Sequence, residues 1–166
     1  TNAIPDPTQY TNMSVNGLPS NPQTLYAVVT DTDTGCVDFT TMTIRVLPNP
    51  TPTPSNQLPE LELCDDFNTG DGVEVFNLLG LNGTNEQETL ILNGEMGVTA
   101  TYHETQDDAN DGINAIADPE NYTNIESPEQ RIYVRVTNDV TGCYALVDFI
   151  IRVNPLPDVV AVTDFL

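Results

Sequence analysis

An acidic turn carries the residues best suited to metal chemistry in this sequence. Asp65, Asp66, Asn68 and Asp71 place oxygen-bearing side chains within one short stretch that also contains glycine. Calcium takes about six to eight oxygen ligands from carboxylates, amides and backbone carbonyls, and a turn of this composition can supply them. The spacing departs from an EF-hand loop, and Asp, Asn and Gly are also the ordinary residues of turns. A calcium site and a plain solvated turn are therefore the two interpretations.

A second stretch of similar chemistry contains Asp108, Asn110 and Asp111. It is the weaker candidate for calcium, and a solvated turn is again the alternative. The overlapping segment 105–108 and the separate segment 84–87 both resemble capping boxes, in which a Thr and an acidic or amide side chain bond backbone amides at a helix start. We therefore predict two short helical turns.

Residues that catalyse reactions are scarce. The one histidine, His103, falls in a segment with strand character and has no neighbour at the spacing of a zinc site or a catalytic triad. The sequence contains no nucleophile elbow, phosphate loop or dinucleotide fingerprint. With 25 acidic residues, some carboxylate pairs arise by chance, and a glycosidase needs a pair placed in a cleft. We predict a structural His103 and no enzymatic activity.

An internal repeat organises the chain. Three pairs of segments match in order, namely 2–12 with 114–124, 34–36 with 141–143, and 44–46 with 151–153. A further likeness between 58–65 and 156–164 sets the period at about a hundred residues. We predict four parts: 1–48, the C-terminal half of a repeat; 49–57, a Pro/Thr linker; 58–155, a complete repeat; and 156–166, the first strand of the next repeat. The alternating prolines of 49–57 favour an extended, semi-rigid spacer.

The three cysteines fall at positions that the repeat relates. Cys64 lies in the first predicted strand of the complete repeat and Cys143 begins its last strand, so we expect a disulfide between them. Cys36 occupies the place of Cys143 in the partial repeat and is expected to be unpaired in this chain. Closing a loop of about 80 residues contributes roughly 4–5 kcal/mol in the chain-entropy model. Three free buried thiols are the alternative.

Strand patterns dominate the complete repeat. Ile132, Val134 and Val136 alternate with polar residues and are predicted to face a core. Short strands with turn signals about every ten residues predict an all-β fold of tandem immunoglobulin-like β-sandwich repeats, although the sequence has no Trp. Arg45 and Arg152 hold equivalent places in the last strand, and we expect each to face a carboxylate on a neighbouring strand.

The charge of the chain excludes two kinds of partner. Against 25 acidic residues stand four arginines and no lysine, which gives a formal net charge of −21 over 166 residues. Such a polyanion repels nucleic acid and anionic membrane surfaces but attracts divalent cations. No apolar run approaches the length of a membrane span. Composition and regularly placed cysteines indicate an extracellular protein.

Three stretches of the complete repeat, 64–78, 98–111 and 132–144, resemble the tandem β-sandwich repeats of large Bacteroidetes (flavobacterial) surface and gliding adhesins secreted by the type IX system. The resemblance implies an extracellular stalk module at the cell surface, with calcium as its cofactor. Its implied partners are neighbouring repeats, surface polysaccharide or other copies of itself. The alternative function is a carbohydrate-binding accessory module of a secreted enzyme. The absence of Trp and the duplication of Tyr10, Tyr26, Tyr122 and Tyr133 between repeats favour the stalk.

Overall fold

The computed structural model describes residues 3–14 and 16–158. The chain divides into two compact units, Thr1–Pro48 and Asn49–Leu166. The residues predicted to begin a further repeat, 156–166, lie mostly outside the described part, and 156–158 are irregular. Residues 49–57, predicted as a linker, belong to the second of these units.

The first unit is built around one β-hairpin. β1 (Gln23–Thr30) pairs antiparallel with β2 (Val37–Ile44), and a short 3-10 helix at Pro7–Gln9 precedes them. Apolar and β-branched residues on both strands favour this pairing. Large side chains remain exposed on the hairpin, with Tyr26 at 72% and Phe39 at 71%.

The second unit contains six further strands. These are β3 (Leu61–Cys64), β4 (Val75–Phe76), β5 (Val98–His103), β6 (Tyr122–Thr123), β7 (Glu129–Asn138) and β8 (Tyr144–Asn154). Four of them form one sheet in the order β3-β8-β7-β5, and β4 pairs with β6. Within the larger sheet β3 runs parallel to β8, whereas the β8–β7 and β7–β5 pairs are antiparallel. Because its two neighbours run along both edges, β8 is a central strand of the sheet.

Two α-helices connect the strands, α1 (Glu86–Leu92) and α2 (Gln106–Asp111). α2 begins with half of the predicted capping box. The Thr105 side chain accepts from the Asp108 amide, but the Asp108 carboxylate accepts from the Thr105 hydroxyl and not from a backbone amide. The capping box predicted at 84–87 is wrong, since Asn85 stands at the N-cap of α1 and makes no capping bond with its side chain. Three short 3-10 helices complete the unit, at Ser55–Gln57, Leu81–Gly83 and Pro119–Asn121.

One hydrophobic core lies against the larger sheet. The period-two pattern of β7 and β8 turns alternate side chains inward, which confirms the predicted inward positions on β7. The fully buried core side chains include Ile132, Val134, Ile151, Phe76 of β4 and Ile91 of α1. The fold is therefore all-β in class, with two small helices inserted between strands.

Candidate functional site

A tight turn carrying Cys143 closes the hairpin between β7 and β8. The Asn138 amide donates to the Cys143 carbonyl at 2.9 Å, and the Gly142 amide donates back to the Asn138 carbonyl at 2.9 Å. The Asn138 side chain accepts from the Thr141 amide at 2.9 Å. Gly142 has φ +72°, a left-handed conformation that favours glycine. The turn thus holds a half-buried cysteine at the end of the sheet.

The first unit repeats this turn with Asp31 in place of Asn138. The Asp31 amide donates to the Cys36 carbonyl at 2.8 Å, and the Gly35 amide donates to the Asp31 carbonyl at 2.9 Å. The Asp31 carboxylate accepts from the Thr34 amide at 2.7 Å, and this bond lowers the pKa of Asp31. Cys36 and Cys143 are therefore structurally equivalent as well as equivalent in sequence.

Cys64 lies at the other end of β8. In the parallel register of β3 and β8, Cys64 is the partner of Asn154, the last residue of β8, whereas Cys143 immediately precedes its first residue. Eleven residues of strand separate these two positions by about 35 Å. A disulfide needs Cα atoms about 4.4–6.8 Å apart. The fold therefore corrects the expected Cys64–Cys143 bond, and all three cysteines are free thiols.

The residues predicted as a linker are docked on the second unit. We call residues 49–57 the strap. The Thr53 amide donates to the Ile91 carbonyl at 3.0 Å, and its hydroxyl donates to the Leu90 carbonyl at 2.6 Å. These carbonyls belong to the last turn of α1, where a helix leaves its carbonyls without internal partners. The strap thus caps α1, and Thr53 is buried as a result.

The strap also fixes where the chain comes into the unit. The Thr51 amide donates to the Glu95 carboxylate at 2.6 Å, just beyond α1. Two residues later, the Gly97 carbonyl accepts from the Asp139 amide at 2.9 Å, within the Cys143 turn. Thr51 and Cys143 therefore lie at the same end of the unit, which we call the upstream end.

The chain leaves the unit at its opposite end. There the Asp65 amide donates to the Asn154 carbonyl at 2.9 Å, next to Cys64. We call this the downstream end. One cysteine thus lies at each end of the unit, Cys143 upstream and Cys64 downstream.

The acidic turn after Cys64 does not fit a calcium ion. Both carboxylate oxygens of Asp65, which is 4% exposed, accept backbone amides, one from Gly70 at 2.7 Å and one from Gly72 at 3.3 Å. The Asp71 carboxylate likewise accepts the Val73 amide at 2.9 Å. These oxygens point at the turn's own backbone and leave no converging set for a metal. Among residues 3–14 and 16–158, no group of three or more His, Cys, Asp or Glu side chains is placed to hold a metal ion.

Asp66 and Asn68, the other two residues of the predicted calcium site, have different roles in the turn. The amides of Asp66 and Phe67 both donate to Glu74 Oε1, at 2.8 Å each, while the Asp66 side chain is exposed. Asn68 has φ +56°, which fits its role in bending the turn. The turn is therefore held by buried carboxylates that bind backbone.

Two residues that organise this turn were not among the predicted site residues. Glu74 is buried, and its amide donates to Asn124 Oδ1 at 2.7 Å. The Asn124 side chain in turn donates to the carbonyls of Gly72 and Glu126, each at 2.9 Å. A signal for Asn124 was present in the repeat, because Asn12 occupies the same place in the partial unit and donates to the Ser20 carbonyl at 3.1 Å.

The second acidic stretch is a capped helix. The Asp108 carboxylate accepts from the Thr105 hydroxyl at 2.6 Å and from the Asn114 amide group at 2.8 Å, and these bonds lower the pKa of Asp108. The Asn110 side chain accepts from the Tyr144 hydroxyl at 3.0 Å, whereas Asp111 is the exposed last residue of α2. The structure therefore does not bring Asp108, Asn110 and Asp111 together as calcium ligands.

The single histidine is part of the core wall. His103 is 1% exposed; its Nδ1 donates to the Ile113 carbonyl at 2.9 Å, and its Nε2 and the Thr101 hydroxyl are hydrogen-bonded at 2.9 Å. Both ring nitrogens are thus used in positioning the chain between β5 and the segment after α2. This arrangement leaves no ring nitrogen for a substrate.

The arginine prediction holds for one of its two residues. Arg152 of β8 contacts Glu60 beside β3, at 2.8 Å, and Glu129 of β7. These contacts, with the Glu60 bond the larger, raise the pKa of Arg152. Arg45 has no carboxylate within salt-bridge distance among the described residues, so the prediction for Arg45 is wrong.

The fold and the duplicated cysteine turn define a class of protein, namely an all-β protein with two homologous units. The chain belongs to the Flavobacterium inter-domain disulphide bond domain family, which matches residues 1–52 and 60–157. The two matched stretches reproduce the repeat, and the family supports an origin in Bacteroidetes. No curated protein and no solved structure matches the chain. In the described residues, no helix is long and apolar enough to cross a membrane.

Proposed function

We propose that this chain is a non-catalytic structural segment of a large, secreted flavobacterial surface adhesin exported by the type IX system. Its units act as spacers in a tandem stalk and contribute to adhesion outside the cell. Successive units are joined by disulfides, as the family description states for its domains.

An immunoglobulin-like sandwich is the finer fold that we propose for each unit. The strand order β3-β8-β7-β5, with a parallel first pair, fits one sheet of such a sandwich, and the β4–β6 pair fits the second. Phe76 of β4 and Tyr122 of β6 share one core with Ile132 and Phe149 of the larger sheet. A shared core of this kind is what two packed sheets produce.

The observation that carries the spacer function is the position of the two ends of the complete unit. The chain comes in at the upstream end beside Glu95 and leaves at the downstream end beside Cys64. β8 runs from one end to the other, and β7 pairs with it along nearly the whole of that length. A unit built in this way adds its full length to a stalk, since the next unit starts where the previous one stops.

The docked strap supports the same function. A free Pro/Thr linker would let neighbouring units swing, but Thr51, Thr53 and Ser55 are all bonded to the second unit. Few residues are then left to act as a hinge, which favours a stiff stalk.

The stalk function is tested by measuring length against the number of units. One to three extra copies of residues 49–155 are joined after Pro155 of the chain, and the maximum dimension of each protein is measured by small-angle scattering. We expect an increase of about 35 Å per copy, which is the length of β8 and its flanking turns. Growth with only the cube root of the mass would contradict a spacer.

A control distinguishes stiffness from mere elongation. The same copies joined through a long Gly/Ser segment behave as beads on a flexible string, whose dimension grows more slowly than linearly. A glycan array probed with the longest protein tests the carbohydrate-binding alternative, and specific, saturable sugar binding would favour that alternative.

A further inference from the structure

We propose that Cys64 of one unit bonds to the turn cysteine of the following unit, the equivalent of Cys143. The cysteines of this chain then do not pair with one another. This proposal rests on the tandem function proposed above and adds which cysteines pair and what the bonds do.

The placement of the cysteines within the complete unit leads to this pairing of cysteines, which we call the disulfide register. Cys64 is exposed at the downstream end, where its backbone neighbour is Asn154. Cys143 lies in the turn at the upstream end, where Asp139 binds the connection from α1. When units follow one another, the downstream end of one adjoins the upstream end of the next. Each junction therefore receives one cysteine of each kind.

The other pairings conflict with the geometry of a unit. A bond between Cys64 and Cys143 of one unit would have to span about 35 Å. A bond between Cys36 and Cys64 would join an upstream turn to the downstream strand of the unit that follows. Those are the two positions that a row of such units keeps furthest apart.

Bond formation is an ordinary thiol–disulfide exchange. Two thiols lose two protons and two electrons as the S–S bond forms, and a disulfide of an extracytoplasmic oxidoreductase accepts them and leaves as a dithiol. The exposure of Cys64 and the partial exposure of Cys143 leave both sulfurs open to attack by such a partner.

The register has a mechanical consequence. With a bond at every junction, a covalent path crosses each unit either along β8, from Cys143 to the downstream end, or along the strap and β3, from the upstream end to Cys64. β8 and β3 are already extended in the fold, and the strap departs from an extended course only in the short 3-10 helix Ser55–Gln57. Both α-helices and the remaining strands lie outside these paths. A tandem array with a disulfide at every junction therefore gains little length under tension, even when its units unfold.

The pairing is tested with one added copy of residues 49–155 after Pro155. The three cysteines of the chain and the two of the added copy make five. The register predicts one bond, so three thiols should titrate in the oxidised monomer. One titrating thiol would overturn it, because pairing within units and pairing of Cys36 with Cys64 both leave one.

Two matched variants identify the bonded residue. Cys64→Ser in the first copy should abolish the bond and leave all four remaining cysteines free. The same substitution in the second copy should preserve the bond and leave two free. A bond that survives in the first variant overturns the register, while the tandem spacer would still stand if that bond joins two units.

Force spectroscopy tests the mechanical consequence. Four joined copies are stretched with and without a reductant. Reduced units should each release about 350 Å of contour length on unfolding, the extended length of the unit less its folded length. Oxidised units between two junctions should each release less than about 30 Å, a reduction of more than tenfold. If oxidised and reduced units release equal contour length, the disulfide proposal is overturned. The spacer function is tested separately by scattering and would be unaffected.

Discussion

Ser55 and Asp148 hold the strap to the centre of β8 through a reciprocal pair of hydrogen bonds. The Ser55 hydroxyl donates to Asp148 Oδ1 at 2.8 Å, and the Asp148 amide donates back to the Ser55 oxygen at 2.9 Å. Arg131 on β7 contacts the same carboxylate. The Ser55 hydroxyl thus connects the strap, which the sequence predicts to be a linker, to the strand that spans the unit.

Removing that hydroxyl should loosen the strap. We expect Ser55→Ala to lower the free energy of unfolding by about 1–2 kcal/mol, because it leaves a strand amide and a carboxylate short of one partner each. Urea unfolding measures the loss, and amide exchange at Asp148 should accelerate. The matched control is Asn56→Ala, since Asn56 is exposed and its side chain makes no hydrogen bond within the described part of the chain. Equal effects of the two substitutions would contradict a docked strap.

The buried carboxylate of Asp65 should contribute more to the free energy of unfolding than the exposed carboxylate of its neighbour Asp66. Asp65→Ala leaves the Gly70 and Gly72 amides without their acceptor, and we expect a loss of about 1–3 kcal/mol in the free energy of unfolding. Asp66→Ala is the control, because Asp66 is adjacent in sequence but exposed, and its carboxylate accepts no hydrogen bond from residues 3–14 and 16–158. Thermal unfolding of the two variants gives the comparison. A larger loss in Asp66→Ala would mean that charge in this turn outweighs backbone bonding.

Calcium should stabilise the chain no more than magnesium at matched ionic strength. The Asp65 and Asp71 carboxylates are directed to backbone amides, so we expect divalent ions to act by screening the net charge of −21. The measurement is the melting midpoint in calcium, magnesium and chelator. If calcium alone raises the melting midpoint and Asp65→Asn removes that rise, the turn is a calcium site.

Stability should fall in alkaline solution as tyrosine ionises. Burial raises the pKa of Tyr122 from 10.0 to about 12, and the bond from Gln130 acts in the opposite direction. A raised pKa in the folded state contributes stability that is complete below pH 10 and is lost as the pH rises to 12. We expect this loss to be about 1–2 kcal/mol.

Substitution separates Tyr122 from the other tyrosines. Tyr122→Phe should flatten the pH dependence of the unfolding free energy between pH 10 and 12, while Tyr26→Phe, on the exposed hairpin of the first unit, should leave it unchanged. Chemical unfolding at half-unit pH steps measures both. If the unfolding free energies of wild type and Tyr122→Phe fall equally with pH, the alkaline loss of stability belongs to another group. The buried Tyr102, whose pKa is also raised, is one such group.

The sequence by itself determined the features that depend on local pattern. Alternation predicted that Ile132, Val134 and Val136 face inward, and they are at most 1% exposed. Thr105 caps α2 as predicted because it lies one helical turn before the Asp108 amide, although the Asp108 carboxylate binds the Thr105 hydroxyl and not its amide. The duplicated segments also predicted the equivalence of Cys36 and Cys143, which the two matching turns confirm. Each of these features involves residues close together in the chain or copied between units.

Only the tertiary structure decided which distant residues meet. The sequence placed Cys64 in the first strand of a unit and Cys143 at the start of its last strand, but it did not give the relative direction of those two strands. Because β3 runs parallel to β8, the end of β3 lies beside the end of β8 and far from its start. Strand direction is set by long-range pairing and core packing, which leave no trace in residue spacing. The same long-range packing docked the strap on α1 and directed Asp65 to the backbone of its own turn.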